Sequence, residues 1–354
     1  MTWQIMINPP NFFDYATSEL SQDAWICWLL AWANPDIKLQ LEEKNSALHK
    51  CGKELIAAFF GKHNKSMPAV IESIDVKRQY NKIDILCILN GKVQAKDTDK
   101  YAILIEDKVG TEEHSGQLDR YKDIIARDYD ENKIILIYIQ TWYQSSYEDV
   151  ERSGYKPFLR ADLLKVLDSY DGDNAILLDY WNYLKGIEND VQAYKTKSMD
   201  DWEDSQWVGF YIRLQEEFKG CWGKVNNARG GFIGFWWSFL DIEESASLYL
   251  QLAQDELCFK IQAESREAAK LEGHWYLCKA WQERICEESK FHELAVEPTR
   301  IRRGEYMTIC VCKDYRVPCE NGGIDMQKTI ERLQQAMKFL ETVVNKTQND
   351  RDSD

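Results

Sequence analysis

Three consecutive charged residues, Glu106, Asp107 and Lys108, close an otherwise apolar run, Tyr101–Val109 (YAILIEDKV). Apolar residues in succession at Ile103, Leu104 and Ile105 predict a strand covered on both faces. Side chains alternate along a strand, so Glu106 and Lys108 share one face and Asp107 takes the other. Unpaired charge at the end of such a strand is costly and calls for partners or a metal ion. The preceding apolar run, Lys82–Asn90 (KIDILCILN), holds one acid, Asp84, and the stretch that follows holds Gln117 and Tyr121. If the two runs pair antiparallel with Asp84 opposite Glu106, their carboxylates project from one face, with roughly 5 Å between Cβ atoms. Like charges that close repel, and a divalent cation relieves them. Hard oxygen ligands without His or Cys suit Mg²⁺ or Mn²⁺ better than zinc.

The elements that must hold these groups can be read around them. Helical spacing of Trp25, Trp28, Leu29 and Trp32, a stop at Asn34-Pro35 and capping candidates Thr17, Ser18 and Ser21 predict a first helix. Glu19 and Asp23 share a face of it, although acids in a first turn also suit the helix dipole and need no function. A second helix is predicted over about Leu48–Gly61, then strands over Val70–Tyr80, Lys82–Asn90 and Tyr101–Val109, with a polar connection from Asn90-Gly91 to Lys100. A helix over Glu113–Tyr129 follows, with Leu118, Tyr121, Ile124 and Ile125 on its apolar side, and then a buried strand, Lys133–Gln140. Strand, helix, strand in this order predicts a crossover onto the same sheet. Helices at 161–170 and 174–194 would cover its faces, giving a mixed α/β sandwich.

Asp84 on one strand, Glu106-Asp107-Lys108 on the next and Gln117 with Tyr121 on the following helix resemble, in order and spacing, the PD-(D/E)xK nuclease superfamily and within it the RecB-like nucleases. The upstream stretch Glu19–Asp23 (ELSQD) is similar to the first-helix acid motif of a bacterial branch, and Ile83 stands where the family pattern has Pro. The resemblance covers the first half of the chain and implies a restriction-endonuclease-like mixed-sheet core. It further implies Mg²⁺- or Mn²⁺-dependent hydrolysis of phosphodiesters in nucleic acid, with DNA the expected substrate, and a setting in phage defence or mobile-element processing. By that resemblance Asp84 and Glu106 hold the ion, joined by the main-chain carbonyl of Asp107 and, through water, by Glu19. Lys108 orients or activates the attacking water, Gln117 positions Lys108 or a phosphate, and Tyr121 either packs and supports its helix or contacts the nucleic-acid backbone. The alternative is a catalytically silent module of this fold that binds nucleic acid or a protein partner.

The rest of the chain bounds these expectations. Its 354 residues allow one large domain or two ordinary ones, and the net charge of −15 does not suit a sequence-blind nucleic-acid coat. No apolar run is long enough to span a membrane and no signal-peptide pattern opens the chain, so a cytoplasmic protein with reduced thiols is expected from its ten cysteines. Cys310, Cys312 and Cys319 lack the partners of a zinc site. A polar stretch over Lys195–Asp204 marks the expected boundary between a nuclease-like domain, 1–197, and an α+β domain, 198–346, for substrate recognition or for assembly with a second copy or a partner protein. That half is predicted to hold a helix near 207–218, strands near 232–240, 247–253 and 257–262, a helix over 266–288, two strands within 299–315 and a last helix over 325–345. Trp236 and Trp237 read as core and interface aromatics rather than base-stacking platforms. Arg300, Arg302 and Arg303 form its densest basic cluster, suited to phosphates or simply to a solvated edge. A polar tail, 347–354, is expected to be disordered.

Overall fold

The structure, a computed structural model, describes residues 10–38, 46–91, 99–110, 116–227, 230–242, 246–292, 294–313, 315–320 and 322–351. The expected start of the third helix near Glu113 and most of the connection from Gly91 to Lys100 lie outside these residues. The chain divides into two units, Met1–Glu188 and Asn189–Asp354.

The first unit is built on a five-stranded sheet in the order β1 (Ile74–Tyr80), β2 (Ile83–Leu89), β3 (Tyr101–Lys108), β4 (Ile134–Gln140) and β5 (Lys156–Leu159). β1, β2 and β3 are antiparallel neighbours, whereas β4 and β5 continue parallel to β3. This is the mixed sheet of a restriction-endonuclease-like core. Its helices are α1 (Glu19–Trp32), α2 (Pro35–Lys38), α3 (Ser46–Lys62), α4 (Gln117–Ile125), α5 (Glu148–Arg152), α6 (Arg160–Leu167) and α7 (Ala175–Gln192). Alternation along β3 separates two cores: Ile103 and Ile105 pack with residues of α1, α3, α6 and α7, while Ala102 and Leu104 pack with Leu118, Tyr121 and Ile125 of α4. β3 is therefore buried on both faces, as its unbroken apolar run requires.

α1 starts on Ser18, whose Oγ accepts the Ser21 backbone N–H at 3.3 Å. That side-chain acceptor satisfies one of the helix's free N–H groups and puts Glu19, Gln22 and Asp23 in its first two turns. α1 and α3 approach closely at Gly52, where a Cβ would come within 2.5 Å of the Leu29 carbonyl oxygen. Any larger residue there would push away the helix that carries these groups.

The second unit is α+β. Its helices are α8 (Asp204–Phe218), α9 (Glu272–Glu288) and α10 (Met326–Arg351), and its strands are β6 (Cys221–Val225), β7 (Phe232–Asp241), β8 (Ser247–Ala253), β9 (Glu256–Gln262), β10 (Glu297–Pro298) and β11 (Tyr306–Cys312). They form an antiparallel six-stranded sheet in the order β10-β11-β9-β8-β7-β6. The described part of the expected tail corrects one reading: α10 continues through residues 346–351, with Val343 and Val344 still buried near its end. No described helix is long and apolar enough to cross a membrane.

Candidate active site

The β2–β3 register runs from Leu89↔Tyr101 to Ile85↔Ile105. One further step sets Asp84 opposite Glu106, the arrangement expected from the sequence. Glu106 is 1% exposed. Its Oε1 lies 2.7 Å from Lys108 Nζ and accepts Gln117 Nε2 at 2.8 Å, and the same amide donates to the Tyr121 hydroxyl at 3.0 Å. The other oxygen, Oε2, is buried and receives no donor among the described residues, and the carboxyl faces that of Asp84. Burial first, and then the charge of Asp84, push the Glu106 carboxyl up to about 8, with Lys108 offsetting only part. Burial alone would lower the Lys108 ammonium, but the charge and hydrogen bond of Glu106, followed by Glu19 and Asp84, raise it instead.

Asp84 is half-buried. Its Oδ2 accepts the Asp107 backbone N–H at 3.0 Å and its Oδ1 accepts Gln79 Nε2 at 3.2 Å. Gln79 sits in the β1–β2 hairpin at φ 55°, a left-handed conformation disfavoured for a residue with a side chain. From there its amide also reaches Asp23 Oδ2 at 3.3 Å, so one side chain ties α1 to β2.

On the opposite face of β3, Asp107 is fully buried and its Oδ1 accepts Gln22 Nε2 at 2.6 Å. Gln22 Oε1 in turn accepts the hydroxyls of Thr141 and Tyr180, each at 2.9 Å. Asp107 Oδ2 and Asp23 Oδ1 are buried with no donor among the described residues, and the two carboxyls lie in hydrogen-bonding reach of each other. Burial, and then Asp84, raise Asp23 to about 6, and burial raises Asp107 well above the usual carboxylate range. A proton shared between the two would satisfy an oxygen on each.

The structure thus brings Asp84, Glu106, Lys108 and Gln117 together on one face of β3. Glu19, half-buried in the first turn of α1, is close enough for its charge to act on both Lys108 and Asp107. Tyr121 is buried in the cluster beneath α4 and accepts from Gln117, which is the packing role left open for it. Arg300, Arg302 and Arg303 lie in the second unit, exposed on the segment before β11. Sequence reading did not single out Gln22 or Gln79. Gln22 lies between Glu19 and Asp23 in the same short motif, which was the available signal; Gln79 carries none.

Among the described residues, no three His, Cys, Asp or Glu side chains already converge as a ligand set for an ion. The donor chemistry nevertheless fits one: the buried Glu106 Oε2 lacks any donor, faces a second carboxyl and belongs to a set of hard oxygens. No curated protein and no solved structure matches the chain. A family model does match, over residues 10–202, more than half of the sequence and the whole span from α1 through α7, and by it the chain belongs to the PD-(D/E)XK nuclease superfamily.

Proposed function

We propose that the first unit hydrolyses phosphodiester bonds of nucleic acid, DNA in the first place, with a bound divalent cation, Mg²⁺ or Mn²⁺. Family membership supports nuclease activity, and the observation that carries the finer reading is the Glu106 carboxyl. It is buried, one oxygen has no donor, it faces Asp84, and an ammonium sits 2.7 Å from its other oxygen. In this reading Asp84, Glu106 and the Asp107 carbonyl would hold the ion, with Glu19 joining through water. When bound there, the ion would supply Lewis acidity and a water of lowered pKa.

The chain's own groups do the rest. Lys108 Nζ orients the attacking water and hydrogen-bonds the non-bridging oxygens as negative charge builds on the phosphorus centre. Gln117 holds Glu106 Oε1, which leaves Oε2 as the oxygen that would serve an ion. Gln79 and the Asp107 N–H fix both oxygens of Asp84 in place. Phage defence or mobile-element processing is the setting proposed for this activity, on the strength of the resemblance. The experiment is a panel of labelled single- and double-stranded DNA and RNA incubated with Mg²⁺, Mn²⁺ or EDTA. Cleavage of DNA with either ion and none in EDTA is the expected result. Cleavage that persists in EDTA removes the metal mechanism, and no cleavage of any substrate favours the silent binding module.

A further inference from the structure

The sheet of the second unit has two unlike faces. Phe235 and Trp237 of β7, Leu250 of β8 and Phe259 of β9 are buried, with Phe235 against Tyr211 of α8 and Phe259 against Phe339 of α10. The alternate positions line a cavity of about 650 Å³ on the other face, among them Trp236, Tyr249, Lys260, Gln262 and Tyr306, and a register shift in β7 between Trp237 and Leu240 brings Phe239 to the same face. Trp236 and Trp237, read alike from sequence, therefore separate: Trp237 is core, and Trp236 faces the cavity.

Two features of this cavity point to a ligand. Phe239 and Tyr306 are 49% and 54% exposed, and Phe239 lies stacked on Tyr249 at 4.7 Å with planes 8° apart, which leaves its outer surface free. Lys260, directly opposite Tyr249 in the ladder, is only 8% exposed, and no acidic side chain pairs with it among the described residues. Burial lowers its ammonium below the usual lysine range. A buried lysine without a counter-ion is costly unless an anion completes the site. Among the described residues that line the cavity the one acid is Glu305, and it is engaged by Arg266 at 3.2 Å. Lys224 lines the same cavity, and Arg302 and Arg303 immediately precede its Gly304–Tyr306 wall, exposed and in no ion pair among the described residues.

We propose that this cavity binds single-stranded nucleic acid, with unpaired bases stacked on Phe239, Trp236 and Tyr306 and a backbone phosphate held at Lys260. Rings beside a cationic groove are the combination that holds single strands without reading sequence. Phe239 on β7 and Tyr306 on β11 are three strand spacings apart, about 14 Å. One base cannot touch both, whereas successive nucleotides can. A duplex hides its base faces and cannot stack on either ring. The choice of nucleic acid over another planar anion rests on the nuclease reading of the first unit.

The test is fluorescence anisotropy of labelled oligonucleotides with the full chain in EDTA, so that binding is read without hydrolysis. Single strands are expected to bind more tightly with falling salt, and a duplex of the same sequence or a free mononucleotide to bind at least about tenfold more weakly. Lys260→Met removes a buried charge without removing volume, and Phe239→Ala and Tyr306→Ala alter exposed rings, so all three should fold. Each is expected to weaken single-strand binding by about tenfold or more. Unchanged affinity in all three variants, or a mononucleotide binding as tightly as the strand, overturns the proposal. Strand binding that depends on these residues, with no cleavage when Mg²⁺ is added, leaves this proposal standing and removes the hydrolytic one.

Discussion

Asp84 Oδ2 accepts the backbone N–H of Asp107 at 3.0 Å, so the acid of one strand is fastened to the main chain of the next at the residue between Glu106 and Lys108. This bond does not need the negative charge of Asp84, because an amide oxygen can still accept it, if less strongly, while Gln79 turns its own amide to meet the new NH₂ group. Asp84→Asn should therefore keep the fold while removing a charge from the proposed cation site. The expected outcome by calorimetry is loss of Mn²⁺ binding, with a melting temperature within a few degrees of wild type. Unchanged Mn²⁺ binding in Asp84→Asn would place the ion elsewhere.

The raised Glu106 carboxyl sets a pH dependence. Its proton is bound more tightly in the folded chain, about 8 against an ordinary 4.5, so the fold favours the neutral form. The stability this contributes is fully present below the unfolded value and is lost as pH rises through the folded one. Asp23, raised to about 6, adds to the loss over the lower part of that window. The metal-free protein should accordingly melt lower at about pH 8 than at about pH 5. Mn²⁺ should restore more at the higher pH, because binding displaces the proton. Glu106→Gln, neutral at every pH, should flatten the upper part of the profile and abolish cleavage. A metal-free melting temperature that rises steadily across this range would contradict the assignment.

How much of this was legible in the sequence depends on the range of the interaction that fixes each feature. β2, β3 and β4 carry long apolar runs, broken only by Asp84, by the charged end of β3 and by Gln140, and were readable because burial on both faces leaves no other pattern. Even the facing of Asp84 and Glu106 followed from alternation and an assumed register. The short strands β5 and β6 were missed, since residues such as Lys156, Pro157 and Gly223 carry no strand signal and pair only because a neighbouring edge is available. Gln79 was invisible for a related reason. Its role depends on a left-handed backbone in a hairpin and on α1 crossing nearby, and neither is written in local composition. Polarity marks a boundary at 195–204, where the family match also ends, while the two units divide a little earlier, inside α7, where a continuous helix hides the change of neighbours.

Gln22 joins three elements through one amide: Nε2 to Asp107 on β3, and Oε1 to Thr141 after β4 and to Tyr180 on α7. All four side chains are nearly or wholly buried. Gln22→Leu keeps the bulk but strips Asp107 of its donor and leaves two hydroxyls without their acceptor. An unsatisfied buried polar group costs about 1–3 kcal/mol, so a loss of roughly 3 kcal/mol is expected after partial rearrangement. Urea denaturation measures it directly. A change below about 0.5 kcal/mol would show that the network is replaced by water at no cost.

Lys108 separates hydrolysis from silent binding. Its ammonium lies 2.7 Å from Glu106 Oε1, and its side chain is 9% exposed. If it served only to neutralise buried acids, its removal would leave Glu106 and Asp84 facing each other uncompensated, at a cost of about 3–5 kcal/mol. The Glu106 carboxyl, already raised to about 8, offers a way out: without Lys108 it keeps its proton near neutral pH, and little stability is lost. Lys108→Ala should therefore melt close to wild type at about pH 7 and lose stability mainly above about pH 8. Cleavage is a different matter, because a carboxylic acid cannot replace an ammonium aimed at charge that develops only in the transition state. Loss of one such preorganised donor lowers kcat by about 10²–10³. Single-strand binding in EDTA, which the cavity of the second unit would supply, should not change. A Lys108→Ala protein that melts normally and cleaves at the wild-type rate would remove Lys108 from the mechanism altogether.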